Sequence, residues 1–253
     1  MQPSMTQKRQ LDRLQTFFDR NDTEGAERFL RTWLGNAEAA GDLREQIPVV
    51  NELMGLYRKL GREEQALAMA DRALAHLRTL GEEDSVGAAT TYLNCATVYK
   101  AFGRAEQALS HYVKAEGIYR RRLSGDDPLL AGLCNNMALA LCDLNRFEEA
   151  RRCYAEALSI LQGREGSEAD RAITHLNLAS CAEGEWGLEA AQEEIALRCE
   201  TAVALLDAIG REDGYCAFVC EKCASVLDYY GYFYDACRFS ERARRIYEGN
   251  GAM

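Results

Sequence analysis

The fold is decided by the stretch Gly61-Arg62-Glu63-Glu64-Gln65-Ala66-Leu67, because this pattern recurs along the 253-residue chain. The recurrences, from the strongest to the weakest, are Gly103-Arg104-Ala105-Glu106-Gln107-Ala108-Leu109, Asn145-Arg146-Phe147-Glu148-Glu149-Ala150-Arg151, Trp186-Gly187-Leu188-Glu189-Ala190-Ala191-Gln192, Gly231-Tyr232-Phe233-Tyr234-Asp235-Ala236-Cys237 and Asn21-Asp22-Thr23-Glu24-Gly25-Ala26-Glu27. The alanine common to these copies falls at positions 26, 66, 108, 150, 191 and 236, so neighbouring copies are 40 to 45 residues apart. A spacing this regular predicts six structural repeats.

Each copy has the composition of a tight turn between two helices. Glycine or asparagine at its head tolerates the left-handed conformation that ends a helix, and the glutamates suit the start of the next one. The alanine lets two helices approach closely, and a second small residue follows seven positions later in four copies, at Ala73, Ala115, Ala157 and Ala243. The first and fifth copies depart from this rule, with Trp33 and Arg198 at that position.

Apolar residues at helical spacing flank each turn, as in Leu133, Met137, Leu141 and Leu144. Two such helices cannot bury their apolar faces alone, so the repeats must stack on one another. The sequence therefore predicts an all-α fold, a right-handed α-solenoid of roughly twelve antiparallel helices. With short polar connectors and no long linker, we expect a single solenoid over 1–253, with units near 6–40, 43–80, 87–123, 128–162, 168–209 and 213–248.

Charge and composition limit which ligands and which cellular compartment we expect for this chain. Lysine and arginine total 30 against 40 aspartate and glutamate residues, a formal charge of −10. An acidic surface repels phosphate groups, so we expect neither nucleic acid nor an anionic membrane as a ligand. No apolar run approaches the roughly 18 residues of a membrane span, and no secretory signal is evident. Ten cysteines without such a signal then indicate a reducing, cytoplasmic location.

The repeats resemble tetratricopeptide repeats. A small residue at the middle of the first helix (Ala96, Ala138, Ala179, Ala224), an aromatic three residues later (Tyr57, Tyr99) and the turn alanine all match that pattern. The usual repeat has about 34 residues, and the longer period here is similar to the kinesin light chain and bacterial type, above all in 135–140 and 145–150. HEAT repeats share a period near 40 residues, but the turn with two spaced alanines favours tetratricopeptide repeats.

The resemblance implies a protein-binding groove along the first helix of each repeat. The residues fourteen positions before the turn alanines are Asp12, Glu52, Asn94, Asn136, Asn177 and Lys222. An asparagine amide offers donors and an acceptor, so three of them could hold the backbone of an extended peptide. The candidate binding residues are Asn94, Thr97, Lys100, Asn135, Asn136, Asn177, Ser180, Lys222, Ser225 and Tyr229. The alternative is structural, with these asparagines bridging adjacent helices.

Chemistry other than binding has little support. Cys216, Cys220 and Cys223 share a helix face, and Cys237 follows beyond the next turn, so four thiolates could hold zinc. Buried cysteine is also an ordinary core residue, and we predict core packing without a metal or another cofactor. None of the three histidines has a ligand spacing, and no phosphate loop or nucleophile motif occurs. We therefore predict no enzymatic activity.

The function predicted from the sequence is a scaffold that binds a peptide or protein segment in the concave groove. One alternative is a peptide-sensing regulatory protein of a bacterial signalling system. Another is a self-associating structural adaptor, a homodimer through an apolar terminal repeat. The terminal apolar residues are Phe17, Phe18, Phe29, Leu30, Trp33 and Leu34 in the first repeat and Tyr229, Tyr230, Tyr232, Phe233 and Tyr234 in the last.

Overall fold

A computed structural model describes residues 5–251, and within this range it contains twelve α-helices and no strand. The helices are α1 (Met5–Asp19), α2 (Thr23–Ala39), α3 (Leu43–Lys59), α4 (Glu63–Leu80), α5 (Val86–Ala101), α6 (Ala105–Arg122), α7 (Pro128–Asp143), α8 (Phe147–Leu161), α9 (Glu168–Trp186), α10 (Gln192–Asp207), α11 (Gly214–Tyr229) and α12 (Phe233–Gly251). Successive helices pack as six pairs, each with a first and a second helix, so the all-α helical-repeat fold is confirmed. No helix in the described range is long and apolar enough to cross a membrane.

The turn inside a pair closes as the repeated pattern predicts. Gly61 and Asn145 end their helices with φ of 68° and 56°, the left-handed conformation. The next residue folds back on the helix, since the Arg62 N–H donates to the Tyr57 carbonyl at 2.9 Å and the Arg146 N–H to the Leu141 carbonyl at 2.8 Å. This satisfies carbonyl groups that the helix end leaves unpaired. The fixed turn geometry then sets the second helix antiparallel to the first.

Small residues line the contact between paired helices. The turn alanines Ala26, Ala66, Ala108 and Ala150 are fully buried, as are Ala73, Ala115 and Ala157 seven positions later. With no side chain beyond Cβ, they allow close backbone approach. This part of the pattern is confirmed.

The fifth pair corrects the register that the sequence suggests. The α10 helix begins only at Gln192, and the Ile195 N–H donates to the carbonyl of its N-cap residue Ala191 at 2.9 Å. In the other pairs the turn alanine makes this bond, so Ile195 stands in its place and Ala202 is the small residue seven positions on. The assignment of Ala191 and Arg198 to these two positions was wrong because α9 is extended by two residues and the turn after it has five residues, where the other pairs have three.

The first compact unit comprises Met1–Gly125, with helices α1 to α6. Its core includes Leu14, Leu30, Trp33 and Leu53. The Trp33 indole N–H donates to the Glu45 carboxylate at 2.7 Å, which gives the one polar atom of this buried ring a partner. Much of the apolar bulk of the first repeat is therefore internal packing between α2 and α3.

The second compact unit comprises Asp126–Met253, with helices α7 to α12. Cys216, Cys220 and Cys223 are buried in its core, and the sulfur atoms of the first two lie 4.0 Å apart. Burial raises the pKa of the Cys223 thiol to about 12, so this group stays a neutral core residue. Cys237 is exposed on α12, and the described residues contain no cluster arranged to hold a metal ion. Core packing is thus confirmed for the first three cysteines.

Candidate functional site

The predicted binding residues all lie on first helices. Asn94, Thr97 and Lys100 are on α5 in the first unit, and the other seven are on α7, α9 and α11 in the second. Each set is described within its own unit.

In the first unit, polar side chains join α3 to α5. The Asn51 amide donates to the Thr91 hydroxyl at 3.0 Å, a contact that the repeat pattern did not indicate. The Thr97 hydroxyl donates to the Asn94 carbonyl of its own helix at 2.7 Å. Among the described residues, the half-buried side-chain amide of Asn94 has no hydrogen-bond partner. Its hydrogen-bonding groups are therefore available to a ligand.

In the second unit, the asparagine side chains make two different kinds of hydrogen bond. The Asn177 amide donates to the Asn135 side-chain oxygen at 3.2 Å, and this bond joins α9 to α7. The Asn136 amide instead donates to the Gly132 carbonyl in its own helix at 2.8 Å. Helix bridging is thus carried by Asn135 and Asn177, while the side-chain oxygen of Asn136 has no partner within the described part of the chain.

A tyrosine–carboxylate cluster joins α9 to α11. The hydroxyl groups of Tyr229 and Tyr230 donate to the two oxygens of Glu183, at 2.6 and 2.7 Å, and Tyr230 also lies 3.4 Å from the Ser180 hydroxyl. Burial, with the Glu183 carboxylate, raises the pKa of Tyr230. The cluster brings the predicted Ser180 and Tyr229 together through Glu183 and Tyr230, which sequence reasoning missed. The signal for them was the tyrosine pair, since such a hydroxyl at a helix interface needs a partner.

Lys222 and Ser225 are exposed, and within the described part of the chain their side chains contact residues of α11. The Lys222 ammonium lies 5.6 Å from the centre of the Phe218 ring, and the Ser225 hydroxyl donates to the Glu221 carbonyl at 3.3 Å. The structure does not bring either residue to the asparagines.

Two of the three histidines lie between helices. His111 stacks with Tyr92 and Tyr99, at ring-centroid distances of 6.1 and 5.2 Å. His175 on α9 has its Nδ1 atom 3.3 Å from a guanidinium nitrogen of Arg198 on α10. These are packing environments without a neighbouring nucleophile.

His175 makes stability depend on pH. Burial, followed by Arg198 and Arg171, lowers its pKa from 6.5 to about 4, while Glu194 opposes the shift. Between these values the unfolded chain binds a proton that the folded chain does not, so the free energy of unfolding falls as the pH is lowered through this window. We expect His175→Gln to reduce that dependence in urea unfolding measured from pH 7 to 4. An unchanged slope would show that His175 titrates normally.

Comparison with known proteins agrees with this architecture. Residues 50–121 and 130–163 match models of the tetratricopeptide repeat. The protein KINESIN LIGHT CHAIN-RELATED 3 of Arabidopsis thaliana is 24% identical over 254 residues, covering 85% of this chain and 39% of the relative. The chain thus spans about two fifths of the length of that curated relative.

Two solved structures have the same fold. BtubC (BKLC) from P. vanneervenii is 21% identical with a TM-score of 0.59, and the match covers 88% of this chain and 90% of that one. A Rap protein complexed with competence and sporulation factor is 17% identical with a TM-score of 0.62, covering 93% and 62%. Together with the six helix pairs and their turns, these matches identify tetratricopeptide repeats at residues 50–121 and 130–163, in a chain similar to kinesin-light-chain-like proteins.

Proposed function

We propose that the chain is a non-enzymatic scaffold that binds an extended peptide or protein segment along its first helices. The observation that carries the proposal is the unused hydrogen-bonding capacity of asparagine side chains. The half-buried Asn94 amide has no partner among the described residues, and Asn136 uses only its amino group. The backbone of a bound peptide supplies both the donors and the acceptors that these side-chain groups can take.

The proposed contact residues are Asn94, Thr97 and Lys100 in the first unit and Asn135, Asn136, Asn177, Ser180, Lys222, Ser225 and Tyr229 in the second. The presence of tetratricopeptide repeats in this chain supports a general role in binding proteins. The Rap protein of similar fold is complexed with competence and sporulation factor, which makes a peptide-sensing regulatory role a version of the same proposal. We also predict that the chain needs no cofactor, binds no nucleic acid, has no enzymatic activity and lies in the cytoplasm.

The test is the double variant Asn136→Ala plus Asn177→Ala. It loses one bond between helices, at a cost of about 1 kcal/mol, so we expect the fold to remain. The wild type and the variant would serve as paired baits for affinity capture, with the retained proteins quantified by mass spectrometry. We expect partners of the wild type to be lost from the variant.

Asn36→Ala is the matched control, because Asn36 is exposed on the second helix α2 and the substitution is the same. It should retain the partners of the wild type. Equal capture by the double variant and the wild type would contradict the proposal.

Self-association is the second candidate, and exposed aromatic residues favour it. The second residue of α2, α4, α6, α8 and α10 is glutamate, which suits a helix start, but in α12 it is Tyr234, which is 80% exposed. Tyr229 and Phe233 beside it are also mostly exposed. Such a patch commonly marks an interface. If this patch is an interface, light scattering should show a dimer for the wild type and a monomer for Phe233→Ser plus Tyr234→Ser. A monomer in both cases would contradict self-association.

A further inference from the structure

A cavity of about 460 Å³ lies in the second unit between the second helices α8 and α10, with α9 behind it. Arg151 and Arg198 line it, together with the aliphatic side chains of Leu158 and Leu178, and its polar lining includes Ser159. The lining contains no carboxylate. A concave site that combines two guanidinium groups with aliphatic surface has the chemistry to hold an anion attached to an apolar body.

Neighbouring side chains hold Arg151 in place. Its Nε atom donates to the Glu185 carboxylate at 2.7 Å, and its guanidinium lies 4.1 Å from the centre of the Trp186 ring. The Nη2 atom is buried without a hydrogen-bond partner in the described part of the chain. A buried N–H of a charged group without a partner is costly, and a ligand would supply that partner only if the guanidinium turned this atom toward the cavity.

Arg198 is fixed in the same way from the other helix. Its Nε and Nη2 atoms bind Glu194 at 2.9 and 2.8 Å, and its Nη1 atom lies 3.3 Å from the His175 ring nitrogen. These contacts use three of the five N–H groups of a guanidinium and leave the other two. Arg198 is therefore oriented before any ligand arrives, which reduces the entropy lost on binding.

A comparable groove in the first unit has a different lining. That cavity of about 370 Å³ lies between α2 and α4 and is lined by both Arg31 and Glu38, so its charges balance. The lining of the α8–α10 cavity thus differs from that groove in having two arginines and no carboxylate, while Glu185 and Glu194 pair with these arginines from outside the lining.

We propose that the α8–α10 cavity binds an acidic peptide segment, with a glutamate or aspartate carboxylate between Arg151 and Arg198 and an adjacent aliphatic side chain against Leu158 and Leu178. The two N–H groups of Arg198 that Glu194 and His175 leave unused support this occupant, since a carboxylate matches the fork of a guanidinium and charge-assisted bonds of this kind are among the strong ones. The cavity is formed by second helices, whereas the asparagines lie on first helices, so the two proposals can fail independently.

The probes are two capped peptides, N-acetyl-Leu-Glu-Leu-amide and its Leu-Gln-Leu analogue, titrated to millimolar concentration against the full chain. Binding would be followed by NMR signals of the arginine Nε–H groups. We expect the glutamate peptide to shift the Arg198 and Arg151 signals and the glutamine analogue to bind about tenfold more weakly, because it lacks the charge. Octanoate, a free aliphatic carboxylate, is the third probe.

Arg198→Gln should weaken the binding of the glutamate peptide by about tenfold or more. Arg152→Gln is the matched control, since it removes the same charge from α8 at a side chain that is 73% exposed and outside the cavity. Ser159→Glu keeps both arginines and changes an exposed position, but places a carboxylate in the lining, so it should also abolish binding.

The proposal is overturned if the two peptides bind equally, if neither binds, or if Arg152→Gln weakens binding as much as Arg198→Gln. Binding of octanoate without the glutamate peptide would likewise overturn the peptide as occupant. A loss of peptide binding in Ser159→Glu, with an unchanged thermal unfolding midpoint, supports it even if Arg198→Gln proves unstable.

Discussion

Phe239→Ala should cost about 3–5 kcal/mol of the free energy of unfolding, the largest effect that we expect from any single substitution described for this chain. The Phe239 ring is only 1% exposed and lies in the core of the second unit. Its removal leaves a cavity that the surrounding helices cannot fill, so the loss includes both the transfer of the ring and the empty space. Because a typical domain is stable by only about 5–15 kcal/mol, this is a large fraction.

The matched control is Phe233→Ala in the same helix. Phe233 is 66% exposed, so the same substitution removes little buried surface, and we expect a change within about 0.5 kcal/mol. Urea unfolding of both variants, monitored by circular dichroism, would measure the difference. Equal losses for the two variants would mean that α12 packs with a different face toward the core.

The aromatic residues of the last repeat show which structural features the sequence predicts and which it does not. The composition of 229–239 indicates many aromatic residues, and the repeat pattern places them at the end of α11 and the start of α12. Which of them is buried depends on the rotation of α12 against its neighbours. Phe239 faces the core and Tyr234 faces away from it, although neither differs in residue type from buried residues elsewhere.

The fold itself was predictable because its signals are local. Gly61 and Asn145 favour the left-handed turn through their own backbone preferences, whatever the rest of the chain does. A buried alanine four residues beyond the N-cap of a second helix, such as Ala66, then reports close helix packing. Signals repeated at regular spacing reinforce one another, and they fixed the number of helix pairs.

The arrangement of the candidate binding residues was predictable only in part, because side-chain pairing is not local. The sequence places Asn136 and Asn177 correctly on the first helices of their repeats. It does not indicate that Asn177 bonds to Asn135, a residue 42 positions away, because that contact depends on how α9 packs against α7. The Glu183 cluster was missed for the same reason, since its tyrosine partners come from the next repeat.

The register of the fifth repeat is a further case in which residue identity misled. Ala191 is an alanine near the expected spacing, and it is fully buried. It is nevertheless the N-cap residue of α10, and Ile195 takes the turn position. The longer α9 and the longer turn after it cannot be recognised from the alanine alone, because a larger apolar residue fills the equivalent place.

Ala202→Leu tests that register, and it should lower the free energy of unfolding by about 1–3 kcal/mol. Ala202 is fully buried in the core of the second unit, so a larger side chain there forces α10 away from its neighbours. Ala204→Leu is the control, because Ala204 is exposed on the same helix and leucine forms helices nearly as well as alanine. We expect urea unfolding to show a change within about 0.5 kcal/mol for Ala204→Leu. If Arg198 stood at the small-residue position instead, Ala202 would lie outside the close contact and Ala202→Leu would be as harmless as the control.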